Sequence, residues 1–120
     1  MKDVEYWSRR SRQLNPSFRG GAATRMLGTL YVMAPTDFLD HGDSEEGLSL
    51  LEGLVKARPD DPQNHLRVAE AYVALGDKEP ATPHLCFARA KAAELRKDEQ
   101  KLLDKVWNDA GKPPCPAASP

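Results

Sequence analysis

The stretch from Arg58 to Asp77, RPDDPQNHLRVAEAYVALGD, leaves this chain few folds to choose from. Pro59 cannot donate a backbone hydrogen bond and biases Arg58 away from helical torsions, so the helix before it stops there. Asp61 followed by Pro62 is a helix start. The carboxylate caps N–H groups that have no partner within the helix, and proline in the first turn sacrifices no hydrogen bond. Leu66, Ala69, Tyr72 and Val73 recur at three- and four-residue steps, which is one face of a helix. Gly76 ends that helix in a left-handed turn, and Asp77 restarts polar turn chemistry before a second helix. A stop, a cap, an amphipathic helix and a tight turn together specify a helical hairpin.

Val68, Ala69, Tyr72 and Gly76 fall where tetratricopeptide repeats place their first-helix residues, and Ala81, Leu85 and Ala88 at the small, large and small positions of the second helix. The chain here resembles that family, whose period is about 34 residues. It departs from the pattern at Ala93, where a proline is usual, and at Pro83. Upstream, Leu27, Gly28 and Tyr31 take the same relative places as Val68, Ala69 and Tyr72, and Gly47, Leu51, Leu54 and Pro59 match a second helix with its stop. Gly28, lacking a Cβ, lets a partner helix approach closely. Tyr31 and Tyr72 are 41 positions apart, so the surplus over one period sits in the inner turn APTDFLDHG, where Phe38 and Leu39 are expected to tuck under as an apolar plug. That expanded turn, Leu-Gly-x-Leu-Tyr-x-x-Ala-Pro and then Gly-Asp, also resembles the bacterial tetratricopeptide proteins associated with TRAP-type transporters. The resemblance implies an all-α fold of antiparallel helical hairpins, stacked as a short right-handed solenoid with a long C-terminal capping helix.

The remaining elements follow from the same signals. Asp3 caps a helix over about 3–14, with Val4, Trp7 and Leu14 as its apolar edge and Arg9, Arg10 and Arg12 toward water. A second helix covers about 19–33, with Met26, Leu27, Leu30 and Tyr31 as its stripe. Asp43, with Glu46 as capping-box partner, starts a helix over about 43–58 that packs through Gly47, Leu48, Leu51, Leu54 and Val55. The next helix is 62–75. Thr82 as cap and Pro83 in the first turn open one long helix over about 83–110; a turn at Arg96 to Asp98, with Asp98 as cap, is the alternative. Residues 1–111 then make a single domain, and 112–120, KPPCPAASP, a disordered proline-rich tail. Cys86 reads as a small buried hydrophobe, and a disulfide to Cys115 is the less favoured alternative.

Composition narrows function mostly by exclusion. With 17 basic and 18 acidic residues the net charge is −1, so neither nucleic acid nor an anionic membrane is indicated as partner. The basic run RRSR reads as a solvated helix face. Mean hydropathy is −0.61 and no apolar run approaches the ~18 residues of a bilayer span, so no membrane insertion is expected. The N-terminus lacks the apolar core of a signal peptide, which places the chain in the cytoplasm if complete, and in the periplasm if it derives from a longer exported precursor. Gly20-Gly21 has no preceding strand and no following Gly-Lys-Ser/Thr, so it is not a phosphate loop.

His41, His65 and His84 are isolated in sequence, and no paired-histidine, Glu-x-x-His or CxxC spacing occurs. No catalytic residue and no cofactor is expected. The function expected is a non-catalytic scaffold that binds a protein or peptide in a concave groove lined by first helices. Arg25, Thr29, Asn64, Arg67 and Glu70 are its partner-facing candidates, with Asn64 and Arg67 foremost because both can bond a peptide backbone or carboxylate. Two repeats are few for a stable array, so a homo-oligomer is a further expected partner. One alternative is an envelope accessory component of a transport system that oligomerises and binds a small ligand. A remoter one is a metal site at Asp37, Asp40, His41 and Asp43, whose order is not that of an EF-hand.

Overall fold

Local start and stop signals set the helix boundaries in the computed structural model, which describes residues 2–15, 21–34 and 42–115. Asp43 accepts a hydrogen bond from the Glu46 N–H at 2.9 Å, and Asp61 one from the Gln63 N–H at 2.9 Å, so both caps form as the sequence dictates. Gly76 ends its helix at φ +81°; its N–H bonds Val73 O, and the Asp77 N–H reaches back to Tyr72 O at 2.9 Å. These two bonds tie off carbonyls that the helix itself leaves open. The elements are α1 (Lys2–Leu14), α2 (Ala22–Met33), α3 (Ser44–Ala57), α4 (Pro62–Ala74), α5 (Ala81–Ala90), a 3-10 turn (Ala92–Glu94) and α6 (Lys97–Asp109). Among the described residues every regular element is helical and none is a strand.

The chain divides into two compact units, Met1–Arg58 and Pro59–Pro120, at the proline that the sequence places at the end of its first repeat. In the first unit α2 packs against α3 through two facing glycines. A Cβ on Gly28 would stand 2.8 Å from Leu51 Cγ, and one on Gly47 would stand 2.6 Å from the Gly28 carbonyl oxygen. Both distances are below contact, so only glycine permits this crossing. Leu27, Tyr31 and Leu51 are buried around it. α1 also packs on α2, but with its polar side.

In the second unit α4 and α5 bury Leu66, Ala69, Ala81, Leu85 and Ala88 completely, and Leu95, Leu103 and Val106 close the core. Each leucine so buried contributes about 1.5–3 kcal/mol. The small-large-small spacing of Ala81, Leu85 and Ala88 therefore lies on the inner face of α5.

Several expectations need correction here. The single helix over 83–110 is two helices, α5 and α6, separated by a 3-10 turn. Glu99 is the reason. It interrupts the apolar rhythm because it is a capping residue, and its buried carboxylate accepts from the Arg96 N–H at 3.0 Å and from Gln63 Nε2 at 3.1 Å. Gln100 Nε2 donates to Ala92 O and Leu95 O, binding the end of the preceding turn. Asp98, the expected cap of this alternative, points to Arg96 at the surface instead. Thr82 is likewise not a cap: α5 begins one residue earlier, at Ala81, without a side-chain cap. Finally, Cys86 and Cys115 are joined as a disulfide, with Cα atoms 5.4 Å apart. Trp107 Nε1 donates to Pro113 O at 3.1 Å and draws the first part of the tail back along α6, which brings Cys115 to α5. Residues 112–115 are therefore held; 116–120 lie outside the described residues.

Candidate functional site

On α1 the residues at 4, 7, 11 and 14 share one helix face, and those at 5, 8, 9 and 12 share another. The apolar face is the first and the polar face the second, so amphipathicity alone turns Val4, Trp7 and Leu14 inward. The structure does the reverse. Glu5 and Ser8 are buried, at 1% and 7% exposure, whereas Val4, Trp7 and Leu14 are 45%, 66% and 70% exposed. Met26, expected in the α2 packing stripe, is also outward, at 57%. Val4, Trp7 and Ser8 on α1 and Ala22, Ala23 and Met26 on α2 wall an open groove of about 490 Å³.

What turns α1 over is a polar cluster. The Tyr31 hydroxyl donates to Glu5 Oε2 at 2.8 Å and accepts from Arg9 Nη1 at 2.6 Å. Arg9 Nη1 also lies 3.7 Å from Glu46 Oε1, and Arg12 Nε donates to Thr24 Oγ1 at 3.1 Å. A carboxylate as buried as Glu5 needs donors nearby, and the Tyr31 hydroxyl is one. Burial, and then the bond to Glu5, push the Tyr31 hydroxyl pKa up to about 12. Arg9 is held above its ordinary value, first by its bond to Tyr31. Arg9 and Arg12, expected toward water, are thus engaged with α2.

Of the five expected partner-facing residues, Arg25 and Thr29 lie on α2 in the first unit and Asn64, Arg67 and Glu70 on α4 in the second. Asn64 is fully buried, which corrects its placement on a solvent face: α4 buries residues around most of its circumference. Arg67 Nη1 donates to Glu70 Oε1 at 3.1 Å, so these two answer one another. Arg25 is half-buried, and Thr29 Oγ1 is shielded from solvent with no hydrogen-bond partner. Asp37, Asp40 and His41 of the candidate metal loop, and the Phe38–Leu39 plug, lie outside the described residues. Among the described residues no group of three or more His, Cys, Asp or Glu side chains converges on a metal-sized space.

The structure also assembles a cluster that sequence spacing hides. His65 on α4 and His84 on α5 approach Nδ1 to Nδ1 at 2.9 Å, and His65 Nε2 lies 2.6 Å from Pro59 O. A carbonyl only accepts, so His65 Nε2 donates to Pro59 O, and one hydrogen bridges the two Nδ1 atoms. His65 stacks on Phe87 with ring centroids 4.0 Å apart, and Lys91 Nζ lies 5.1 Å from the Phe87 centroid. Nineteen residues separate the two histidines in sequence. The only cue was that α4 and α5 form a hairpin, which lets one turn of each face the other.

A comparison with family models gives no match, and a comparison with curated proteins gives none either. The geometry of these two units is therefore what any functional reading rests on.

Proposed function

We propose that this chain is a non-catalytic helical scaffold of the tetratricopeptide-like kind, which works by holding a protein partner. The observation that carries this reading is the outward apolar face of α1. Contiguous exposed apolar surface of this sort marks interaction sites, and the groove beside Trp7 offers a pocket for an aromatic or aliphatic anchor. The partner-facing role thus passes from Asn64 and Arg67 to Val4, Trp7 and Met26. A photo-crosslinking amino acid at position 7, with position 101 on the exposed side of α6 as control, tests it in the native host. The expected outcome is a protein adduct from position 7 and none from position 101. Absence of any adduct at position 7 would remove the reading.

A second reading, an accessory component of a transport system in the cell envelope, is favoured by one observation, the Cys86–Cys115 disulfide. Disulfides persist in oxidising compartments and are rare in the cytosol. Trapping free thiols at the moment of lysis distinguishes the two locations: a linked Cys86–Cys115 peptide favours the envelope, and two alkylated cysteines the cytoplasm.

A further inference from the structure

We infer that the His65–His84 pair is an acid-sensitive latch between α4 and α5, closed while one hydrogen bridges the two rings and opened when both rings are charged. The inference goes beyond the scaffold reading and does not depend on it.

His65 and His84 are each the fourth residue of their helix, counting from Pro62 and from Ala81. Their Nδ1 atoms are 2.9 Å apart, a spacing that holds one bridging hydrogen and no second one. Whichever ring carries that hydrogen, the other must offer a lone pair. When both imidazoles are protonated, each Nδ1 bears its own N–H. The bond is then lost, and two positive charges face each other across the same gap. Imidazole is the side chain that ordinarily changes charge between about pH 5 and 8.

The surroundings leave the pair little room to accommodate this. His65 is 8% exposed, and its Nε2 is tied to Pro59 O at 2.6 Å. Its ring is stacked on Phe87, and Tyr72 is stacked on His84. Both histidines also lie at helix N-termini, where backbone dipoles oppose added positive charge. Among the described residues, the charged groups of the surrounding elements are engaged elsewhere or exposed. Asp61, ahead of α4, caps the Gln63 N–H, and Arg67 and Glu70 on α4 answer one another. Arg89 on α5 lies over Trp107, while Lys91 bonds Asp60 O and lies 5.1 Å from the Phe87 centroid, adding a positive charge to the cluster. On α6, Glu99 is held by Gln63 and the Arg96 N–H, and Lys105 by Asp109. Asp77, Lys78 and Glu79, in the turn between α4 and α5, are exposed.

On acidification the unfolded chain adds one proton to each ring, whereas the latched pair adds at most one in all. The latch therefore stabilises fully above pH ~6.5, and its contribution is lost as the pH falls below that value. One proton of difference lowers the folding equilibrium constant by up to about tenfold per pH unit.

Urea unfolding of the parent chain, His65→Gln and His84→Gln between pH ~7.5 and ~5.5, above the ordinary carboxylate range, tests this. Metal-free buffer keeps a divalent cation from replacing the shared hydrogen. The expected result is a folding equilibrium constant that falls about fivefold or more in the parent relative to either variant. Each variant keeps one imidazole of the pair, free to charge, and His41 titrates in all three chains and drops out of the comparison. Imidazole nitrogen spectra of the parent need no variant. They are expected to show His65 and His84 titrating as one coupled pair, with amide exchange over 81–84 accelerating as the second proton binds. Equal pH slopes in parent and variants overturn the inference, as do two rings that titrate independently with exchange over 81–84 unchanged.

Discussion

Gly28, Gly47 and Gly53 are the same residue type within two packed helices, and their surroundings separate them. A Cβ on Gly47 meets a backbone oxygen, and one on Gly28 meets the branch point of Leu51, whereas one on Gly53 meets nothing within 4 Å. Alanine gains about 1 kcal/mol over glycine in a helix interior, and overpacking costs about 1–3 kcal/mol. The balance gives opposite signs. Gly53→Ala is expected to stabilise by up to about 1 kcal/mol and Gly47→Ala to destabilise by up to about 2 kcal/mol, both read from urea unfolding midpoints. Tyr31 supplies a second prediction. Its folded pKa of about 12 lies above the ordinary value of about 10, so the folded state holds the hydroxyl proton more tightly than the unfolded chain does. The stability linked to it is complete below pH ~10 and is lost as the pH rises toward ~12. Parent protein should lose stability over that window, and Tyr31→Phe should show a shallower slope there; equal slopes would remove Tyr31 as the cause.

The elements differ in how much they depend on distant residues. α4 has its cap, its first-turn proline, its apolar face and its glycine stop within Arg58 to Asp77, and it forms where the sequence puts it. α6 does not carry its signals so openly. No glycine or proline separates it from α5, and its start depends on Glu99 turning back to the Arg96 N–H while Gln63, on α4, donates to the same carboxylate oxygen. Glu99→Ala is expected to cost about 1–2 kcal/mol, the scale of a lost cap, with amide exchange accelerating first over 97–100. Unchanged exchange there would show that the turn holds itself. The disulfide works at the same scale. It closes a loop of 29 residues across the end of α5, the 3-10 turn and α6. Chain-entropy arguments assign about 3–4 kcal/mol to a loop of that size. Cys115→Ser should lower the melting temperature of the second unit by an amount that a reductant reproduces in the parent protein.

Across the whole molecule the two units share one construction, a pair of helices meeting through small residues, and they complete it differently. The second unit finishes its core with residues from 95–106 and a covalent link. The first finishes with α1, turned so that a polar cluster lies inside and an apolar stripe outside. Among the described residues no helix is long and apolar enough to cross a membrane, so the apolar stripe is a matter of side-chain surface on one short helix. This asymmetry makes α1, and not the first-helix residues Asn64 and Arg67, the place to look for association. Asn64 and Arg67 are the foremost candidates on sequence grounds because both can bond a peptide backbone or carboxylate from the polar face of a first helix. That argument fails when a helix is covered on more than one side, as the burial of Asn64, His65 and Val68 shows for α4.

What the sequence by itself determined are the features whose causes lie within a few residues: helix starts at Asp43 and Asp61, the stop at Pro59, the left-handed turn at Gly76, and the small residues Gly28, Gly47, Ala69 and Ala88 at helix contacts. Each reflects a local steric or hydrogen-bonding necessity. Tertiary structure alone decided which side of α1 faces in, whether Cys86 meets Cys115, and that His65 meets His84. These depend on groups far apart in the chain, and the energies compete. An apolar face favours burial, but Glu5, Tyr31 and Arg9 satisfy one another only if the polar face is buried instead, and in α1 that cluster prevails.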